Sequence, residues 1–504
     1  MADRLYIGID SGTQGTKGIV LSEVTRGVVA RSYRSYELIE NERGGREQHP
    51  DSWINACTQI LDDLLSSPGV SAAEVRAIGV SGQQHGMVPL DADGKVIRPA
   101  KLWCDTETTT QCATITARAG GEQAVVAAIG NQMAAGFTAS KILWLKEHEP
   151  DSYERLATVL LPHDYINFWL TGNRVCEYGD ASGTAYFDVV NRCWSPKLLD
   201  AVDPDGGLQD CLPGFVAANE PAGIIRKEIS EQFGLPDDVL VSSGGGDNMM
   251  AAIGTGNVVE GVVTASLGTS GTIYAYADRP VVDDSGELAA FCSSTGGWLP
   301  LVCTMNVTVA TELFRSLFDL SIDRMNELAG AAQPGAEGLI LLPYFNGERT
   351  PALPAATAHL GGMTGLNVNP ANICRAAMEG ATYGLRYGLE VIRRNGIDPR
   401  EIRLTGGGAK SVLWRQLVAD IFGCQVVCLR QEEAGATGAA VQAMWCAESQ
   451  GGGRVSLQDL SSEYVELDEE SRCIPSSSAS HYYEERFRRY LALNDALEPI
   501  HSGR

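Results

Sequence analysis

Asp10 and Lys17 flank a short turn, Gly12 to Thr16, that is rich in glycine and threonine. The turn follows the β-prone run Leu5 to Ile9 and precedes a second apolar run, which predicts a hairpin. Backbone N–H groups of a glycine-rich turn can approach phosphate oxygens, and threonine hydroxyls add neutral donors. A carboxylate at a strand end can hold Mg²⁺, and a lysine supplies a point charge. The pattern predicts phosphate binding, and the alternative is that Asp10 caps a turn and Lys17 is solvated surface.

A second candidate is the glycine triplet Gly244 to Gly246, which Asp247 follows directly. The triplet lies between a predicted strand ending at Ser242 and a predicted helix of small residues starting at Met249. Consecutive glycines suit a place where a ligand or another segment passes close to the backbone. An aspartate at such a helix start is well placed to act as a general base toward a hydroxyl. The alternative is an ordinary helix N-cap.

A third glycine-rich turn runs from Thr405 to Ser411, after the predicted strand Ile402 to Leu404 and before a helix from Trp414. A strand, a triple-glycine turn and a helix can form a floor on which a flat adenine or a ribose lies. The alternative is a flexible loop.

The elements that must position these residues show an internal repeat. The turn Gly12 to Thr16 is echoed by Gly268 to Thr272, about half the chain length further on, and both turns follow a strand. Helical-period stretches alternate with short strands elsewhere, which favours an α/β fold with mixed or parallel sheets. We therefore predict two related α/β domains, 1–243 and 244–504, that face each other across a cleft. The acidic run Glu463 to Glu470 is interpreted as a solvated segment.

Composition narrows the functional classes. The 504 residues include 39 Lys and Arg against 63 Asp and Glu, a formal net charge of −24. Such a charge disfavours nucleic acid and anionic membranes as partners. No apolar run approaches the roughly 18–20 residues that span a bilayer, and the chain starts without a signal-peptide pattern. We expect a soluble, cytoplasmic protein.

Several catalytic and metal-binding signatures are missing from the sequence. The thirteen cysteines include no C-x-x-C pair, so reduced thiols are expected in place of a zinc site or a disulfide framework. There is no P-loop, no complete dinucleotide fingerprint, no H-E-x-x-H and no G-x-S-x-G. Dehydrogenase, metalloprotease and esterase functions therefore lose support.

A set of motifs, in order over nearly the whole chain, resembles the FGGY carbohydrate kinases of the actin-like ATPase superfamily. The matching segments are GIDSGTQGTKG (8–18), GVSGQQHGMVPLD (79–91), LWCD (102–105), GFTASKILWLKEH (136–148), GGGDN (244–248), SLGTSGT (266–272), LPYFNGERTP (342–351) and LTGGGAKSVLWRQLVAD (404–420). The resemblance implies α/β architecture with two duplicated ribonuclease-H-like domains facing a central cleft. It also implies sugar binding in the N-terminal domain and nucleotide binding in the C-terminal one.

The resemblance carries roles to single positions of this chain. It implies Asp247 as the catalytic base and Asp10 as the Mg²⁺-associated carboxylate. The phosphate loops would contain Thr13, Lys17, Gly268 and Thr269, and the adenosine loop Gly407 and Gly408. The sugar pocket would contain Gln84, His85, Trp103 and Asp105, with Asp247 beside the reacting hydroxyl.

The Gln-x-His-Gly turn, the Trp-x-Asp segment and Gly-Gly-Gly-Asp-Asn are typical of the branch that phosphorylates ketopentoses. The expected reaction is ATP- and Mg²⁺-dependent phosphorylation of the terminal hydroxyl of D-xylulose, giving D-xylulose 5-phosphate. Gln84 departs from the methionine that is common at its position. Alternatives are another sugar or polyol, such as ribulose or gluconate, and an actin-like nucleotide switch. Dimers are common in the resembling family, so a homodimer is a further expectation.

Overall fold

The computed structural model describes residues 3–501 and divides the chain into two compact units. The first unit runs to Val258 and adds Ala277–Leu299 and Glu433–Val465. The second unit comprises Val259–Tyr276, Pro300–Glu432 and the chain from Glu466 onward. The assignment of sugar binding to 1–243 and of nucleotide binding to 244–504 stays a prediction.

Each unit contains one large sheet, and twelve main strands build the two sheets together. They are β1 Leu5–Ser11, β2 Gly15–Ser22, β3 Gly27–Ser35, β4 Val75–Gly82, β5 Pro221–Ile224, β6 Leu240–Ser242, β7 Val262–Ser266, β8 Gly271–Ala275, β9 Leu301–Thr304, β10 Glu401–Thr405, β11 Gln425–Leu429 and β12 Leu467–Cys473. Shorter strands are Ile39–Glu40, Arg46–Gln48, Val88–Leu90, Ala100–Lys101, Thr158–Leu160, Val175–Glu177, Phe187–Asp188, Cys193–Trp194, Gly214–Val216, Gly245–Gly246, Ile340–Leu342 and His359–Gly361.

The α-helices are α1 Pro50–Leu65, α2 Thr109–Arg118, α3 Glu122–Ile129, α4 Thr138–His148, α5 Pro150–Glu154, α6 Pro162–Thr171, α7 Tyr178–Ala181, α8 Pro196–Val202, α9 Lys227–Phe233, α10 Asp247–Gly254, α11 Thr308–Leu317, α12 Ile322–Ala331, α13 Pro370–Arg394, α14 Val412–Phe422, α15 Ala434–Gln450, α16 Leu457–Tyr464 and α17 Ser477–His501. Short 3₁₀ turns are Ala72–Glu74, Ser182–Thr184, Leu208–Cys211, Ala336–Gly338 and Gly407–Lys410. Within residues 3–501, no helix combines the length and the apolar character that crossing a membrane requires.

The two large sheets repeat the same arrangement, which confirms the predicted duplication. The strand order is β3-β2-β1-β4-β6-β5 in the first unit and β9-β8-β7-β10-β11-β12 in the second. Each sheet has an antiparallel hairpin, and the first hairpin strand pairs in parallel with the next strand along the sheet. The edge strands differ, because β5 precedes its neighbour β6 in the chain whereas β12 follows β11.

Helices cover both faces of the first sheet. The side chains of Ile7 and Ile9 pack on the same core as Trp53, Ile60 and Leu64 of α1, which recur at helical spacing. Because side chains alternate along a strand, Gly8 faces the opposite side, where α15 lies against β1 and β4. Both faces of β1 are therefore fixed, and the strand end carrying Asp10 has a defined position.

Three predicted details are confirmed. The hairpins β1–β2 and β7–β8 form as expected. The thirteen cysteines, all within the described residues, are free thiols. The acidic run Glu463 to Glu470 is solvated as expected, since four of its five acidic side chains are exposed, although it ends α16 and then enters β12, which pairs antiparallel with β11. Backbone pairing along this sheet edge outweighs the low strand propensity of the acidic residues.

Candidate active site

Asp10 lies near the end of β1, beside two neighbours that shape its electrostatics. The Ser81 hydroxyl of β4 donates to Asp10 Oδ1 at 2.6 Å. Burial raises the pKa of Asp10, while the bond from Ser81 and the nearby positive charge of Lys17 act in the opposite direction. The start of α15 also approaches closely, because a Cβ atom built at Gly435 would lie 2.7 Å from the Asp10 carboxyl carbon. Asp10 is therefore held in place while keeping partial contact with solvent.

Thr13 is tied to its surroundings by a chain of side-chain hydrogen bonds. Its hydroxyl donates to Gln83 Oε1 at 3.1 Å and accepts from Trp103 Nε1 at 2.9 Å. Gln83 Nε2 donates in turn to Gln48 Oε1, and Gln48 Nε2 donates back to the Thr13 carbonyl at 2.7 Å. Both glutamines are almost fully buried. The chain of bonds fixes the first turn and the Trp103 loop to each other.

Asp247 is the first residue of α10, and the N-cap is Gly246, so the carboxylate is not the ordinary N-cap that the sequence left open. The backbone N–H and the side-chain amide of Asn248 donate to Asp247 Oδ1 at 2.7 and 2.9 Å. Oδ2 has no hydrogen-bond partner among residues 3–501. Burial, followed by the charge of Asp10, raises the pKa of Asp247 to about 7. A carboxylate with this pKa and a free oxygen can accept a proton near neutral pH.

Gln84 connects the turn after β4 to the start of α10. Its Oε1 accepts from Asn248 Nδ2 at 2.9 Å, and the side chain is almost fully buried. A Cβ atom at Gly246 would lie 2.6 Å from Gln84 Cγ. Glycine at this place is therefore required by the close passage of the Gln84 side chain, in agreement with the predicted reason for the triplet.

His85 adopts a left-handed backbone conformation, with φ of 65°. Its ring stacks on Phe291 and meets Phe137 edge-on, with ring centroids 5.9 and 4.7 Å apart. The ring also fills the space beside Gly183, where a Cβ atom would lie 1.9 Å from His85 Nδ1. Position and orientation of this imidazole are thus strongly constrained.

Trp103 and Asp105, two residues apart, differ in exposure. The Trp103 side chain is 40% exposed, whereas Asp105 is fully buried. Asp105 accepts from Lys101 Nζ at 3.1 Å and from the backbone N–H groups of Arg46 and Glu107. In the structure these contacts give Asp105 a role in holding its loop, and its contact with a sugar stays a prediction.

The second unit contains the other two predicted turns side by side. The turn with Gly268 and Thr269 is the tip of the β7–β8 hairpin, and Gly407 and Gly408 lie in the 3₁₀ turn after β10. The two turns are joined because Gly408 N–H donates to the Leu267 carbonyl at 3.0 Å. A Cβ atom at Gly407 would meet nothing within 4 Å, so packing within the described chain does not explain the glycine there.

The structure thus brings together Asp10, Thr13, Gln84, His85, Trp103 and Asp247 within the first unit and the four glycine-turn residues within the second. Lys17 is exposed on β2, opposite Asp10 in the hairpin register. Sequence reasoning did not assign Ser81, Gln83 or Asn248. All three lie inside quoted motifs, and Gln83 and Asn248 directly adjoin assigned residues, which was the available signal.

Mg²⁺ fits the residues around Asp10. Among residues 3–501 no cluster of three or more His, Cys, Asp or Glu side chains is arranged as a metal site. Mg²⁺ commonly binds through one or two carboxylates together with water and substrate phosphates. The fixed Asp10 carboxylate, with partial solvent contact beside a phosphate-type turn, matches that mode of binding.

Comparisons with known proteins agree with this geometry. The family model described as the FGGY family of carbohydrate kinases, N-terminal domain, matches residues 5–254, and that of the C-terminal domain matches residues 263–447. A xylulose kinase of Haemophilus influenzae is 46% identical over 97% of this chain and 99% of its own length.

Two solved structures share the fold over the whole chain. The xylulose kinase of Rhodospirillum rubrum has a TM-score of 0.90 and 26% identity, and covers 99% of this chain and 100% of its own. The gluconate kinase of Lactobacillus acidophilus also has a TM-score of 0.90, with 25% identity and 98% coverage of both chains. The matched family models together span most of the sequence, so the chain belongs to the FGGY family of carbohydrate kinases, phosphotransferases that act on an alcohol group.

Proposed function

We propose that this protein transfers the γ-phosphoryl group of ATP to the terminal hydroxyl of D-xylulose, giving D-xylulose 5-phosphate. Kinases of this family use ATP with Mg²⁺ as the phosphoryl donor. The choice of sugar is supported by the relatives named xylulose kinase, among them the 46% identical one. The Gln-x-His-Gly and Gly-Gly-Gly-Asp-Asn segments are consistent with the same branch.

The observation that carries the proposal is the state of Asp247. Its carboxylate has a pKa of about 7 because it is buried and near Asp10, and Asn248 holds its Oδ1. Oδ2 would accept the proton of the sugar hydroxyl as that oxygen attacks the γ-phosphorus. Such a positioned base contributes on the order of 10²–10⁴ in rate.

The remaining residues would bind and orient the substrates. Gln84, His85 and Trp103 would contact the sugar, with Asp105 holding the loop that carries Trp103. Thr13, with Lys17 nearby, would bind phosphate in the first turn. Gly268 and Thr269 would do so in the second turn, and Gly407 and Gly408 would receive the adenosine. The open space beside Gly407 supports that last assignment.

Asp10 would hold Mg²⁺, which when bound neutralises charge on the β- and γ-phosphates during transfer. Phosphoryl transfer asks for positioning and charge stabilisation more than for covalent chemistry by the protein. The partners that follow from kinase activity are a sugar and ATP. A cytoplasmic location and a homodimer remain parts of the proposal.

A coupled ATP assay with a panel of sugars tests the function. We expect ATP consumption to depend on added D-xylulose and to be much slower with ribulose or gluconate. Gluconate is included because a gluconate kinase shares the fold at 25% identity. Faster turnover with gluconate or ribulose would replace the proposed sugar. Sugar-independent ATP hydrolysis as the main activity would instead support a nucleotide switch.

A further inference from the structure

Lys141 is a completely buried lysine to which the proposed reaction gives no role. It lies on α4, inside the segment GFTASKILWLKEH. Its Nζ donates to the His85 carbonyl at 2.7 Å and to the Gly136 carbonyl at 2.6 Å. Removing an amine from water is costly. The burial of Lys141 must therefore be offset by interactions such as these two hydrogen bonds to backbone carbonyls.

The two carbonyls suit both protonation states of this amine. Burial lowers the pKa of Lys141 to about 7, and the charge of Asp105 opposes that shift. An ammonium group has three N–H donors and a neutral amine has two, so either form can satisfy two acceptors. The contact with His85 therefore persists on both sides of neutral pH.

The His85 carbonyl has a second donor from the same helix. Thr138 Oγ1 donates to it at 3.2 Å. His85 has a positive φ, a conformation that non-glycine residues rarely adopt and that surrounding structure must enforce. Two side chains of α4 thus hold the carbonyl of a residue whose backbone is strained.

The ring of His85 is held from the same end of α4. Phe137, the residue immediately before the helix, packs edge-on against the imidazole at 4.7 Å between ring centroids. The start of α4 therefore fixes both the backbone and the ring of His85. Since a positive φ determines where the ring points, loss of the carbonyl contacts would rotate or release the imidazole.

We propose that Lys141, assisted by Thr138, is a positioning residue for sugar recognition, which it serves by holding the carbonyl of His85. The proposal rests on the proposed function, because that function makes His85 a sugar contact. A lysine serving stability alone would leave sugar affinity unchanged, so the two roles predict different measurements.

The first experiment compares Lys141→Met with Lys146→Met in the full-length protein. Methionine keeps most of the side-chain volume and removes the donors. A displaced contact residue can cost on the order of 10²-fold, so we expect the KM and Kd for D-xylulose to rise about 10- to 100-fold with the KM for ATP unchanged. Lys146 lies on the same helix and pairs with Asp203 and Asp205. Its loss should lower Tm and leave the sugar KM unchanged.

The pair Thr138→Val and Thr138→Ser keeps the test decisive if Lys141→Met fails to fold. The valine variant removes the donated hydrogen bond and should raise the sugar Kd. The serine variant keeps the hydroxyl and should have the sugar Kd of the wild type. A double-mutant cycle adds a further readout. In a His85→Ala background, which has no ring to position, Thr138→Val or Lys141→Met should change the sugar Kd little.

Each outcome separates the two proposals. If the wild-type protein phosphorylates no ketopentose, the proposed function fails and this inference fails with it. If the wild type is active but Lys141→Met and Thr138→Val leave the sugar Kd unchanged, only the inference is overturned. Full additivity of His85→Ala with either variant would also overturn it.

Discussion

Asp10 and Asp247 are two partly buried carboxylates whose neighbours give them different chemistry. Asp10 accepts from the Ser81 hydroxyl and lies near Lys17, both of which favour its charged form. Among residues 3–501 no cationic side chain pairs with Asp247, and burial and then the charge of Asp10 raise its pKa. Burial raises the pKa of both carboxylates, and carboxylates with different neighbours commonly divide an ion-binding and a proton-accepting role. The same division is what the proposed function requires.

Replacement of Asp247 by asparagine tests the base directly. Asp247→Asn keeps the shape and an oxygen for Asn248, but it has no carboxylate to take the proton. We expect kcat to fall on the order of 10²–10⁴-fold, with the D-xylulose Kd from calorimetry largely retained. Asp62→Asn, at an exposed position of α1, is the matched control and should leave kcat unchanged. Near-normal kcat in Asp247→Asn would remove this residue from the base role.

The raised pKa of Asp247 predicts opposite pH effects on activity and stability. The base must be ionised, so kcat/KM for the sugar should fall as pH drops below about 7. In the unfolded chain an aspartate ionises near pH 4, so ionisation destabilises the folded state increasingly between about pH 4 and 7.

Comparing Tm at several pH values isolates this contribution, because the other titrating groups are common to both proteins. The Tm of Asp247→Asn relative to the wild type should rise between about pH 4 and 7 and stay constant above that range. A Tm difference that is independent of pH would contradict the raised pKa.

The first turn owes its position to buried amides of other elements. Gln48 Oε1 accepts from Trp53 Nε1 at 3.0 Å and from Gln83 Nε2 at 2.9 Å, and its Nε2 binds the Thr13 carbonyl. Thr13 donates its hydroxyl proton to Gln83. In the proposed function, phosphate binding at Thr13 would therefore fall to its backbone N–H, in a turn whose position the two glutamines fix.

Gln48→Leu should damage both stability and nucleotide binding. The leucine leaves two N–H donors and the carbonyls of Thr13 and Glu37 without this partner, and each such group costs about 1–3 kcal/mol. We expect a loss of at least about 4 kcal/mol in the free energy of unfolding, measured in urea, and a higher KM for ATP. Gln59→Leu, on the exposed side of α1, should change neither. An unchanged ATP KM in a destabilised Gln48→Leu would show that the network serves folding alone.

The contact of α15 with β1 depends on a glycine, Gly435, at the start of the helix. A methyl group at Gly435 would lie within 2.7–2.8 Å of the Asp10 carboxylate atoms. Gly435→Ala should therefore displace Asp10 or the helix start and lower kcat/KM for ATP at least 10-fold, since small displacements at a reacting centre are costly. Gly214→Ala is the control, because a Cβ there would meet no atom of the described residues within 4 Å. Equal activity of the two variants would contradict the close contact.

The sequence predicted the elements that depend on neighbouring residues in the chain. The hairpins and α14 follow from glycine turns and apolar spacing, and the repeated turn predicted the duplicated sheets. The networks around Thr13 and His85 join segments far apart in the chain, such as Gln48 with Gln83, and no spacing rule encodes them. The acidic strand β12 was missed because its pairing with β11 overrides local propensity.

The duplicated sheets place different chemistry at equivalent positions. Asp10 near the end of β1 corresponds to Ser266 at the end of β7, and Lys17 corresponds to Ile273. The turn after β4 contains Gln84 and His85, whereas the turn after β10 contains three glycines. One scaffold position is thus specialised for side-chain contacts in the first unit and for an open backbone surface in the second. Only the first hairpin retains a carboxylate and a lysine.

This specialisation predicts where each substrate slows amide hydrogen exchange. D-xylulose alone should protect the turn Gly82 to Gly86 and the start of α10, both within the first unit. MgADP alone should protect the turns 268–272 and 405–411 of the second unit. Amide protection reports local opening, so each substrate marks the backbone that it stabilises.

Lys141→Met provides the matched control for the exchange experiment, because it should abolish sugar protection at Gly82 to Gly86 while leaving the MgADP pattern intact. Protection of 405–411 by D-xylulose alone would contradict the division of roles between the two sheets. Protection of Gly82 to Gly86 by MgADP alone would contradict it equally, since equivalent turns on a duplicated scaffold would then share one ligand. The exchange pattern therefore tests the specialisation independently of turnover.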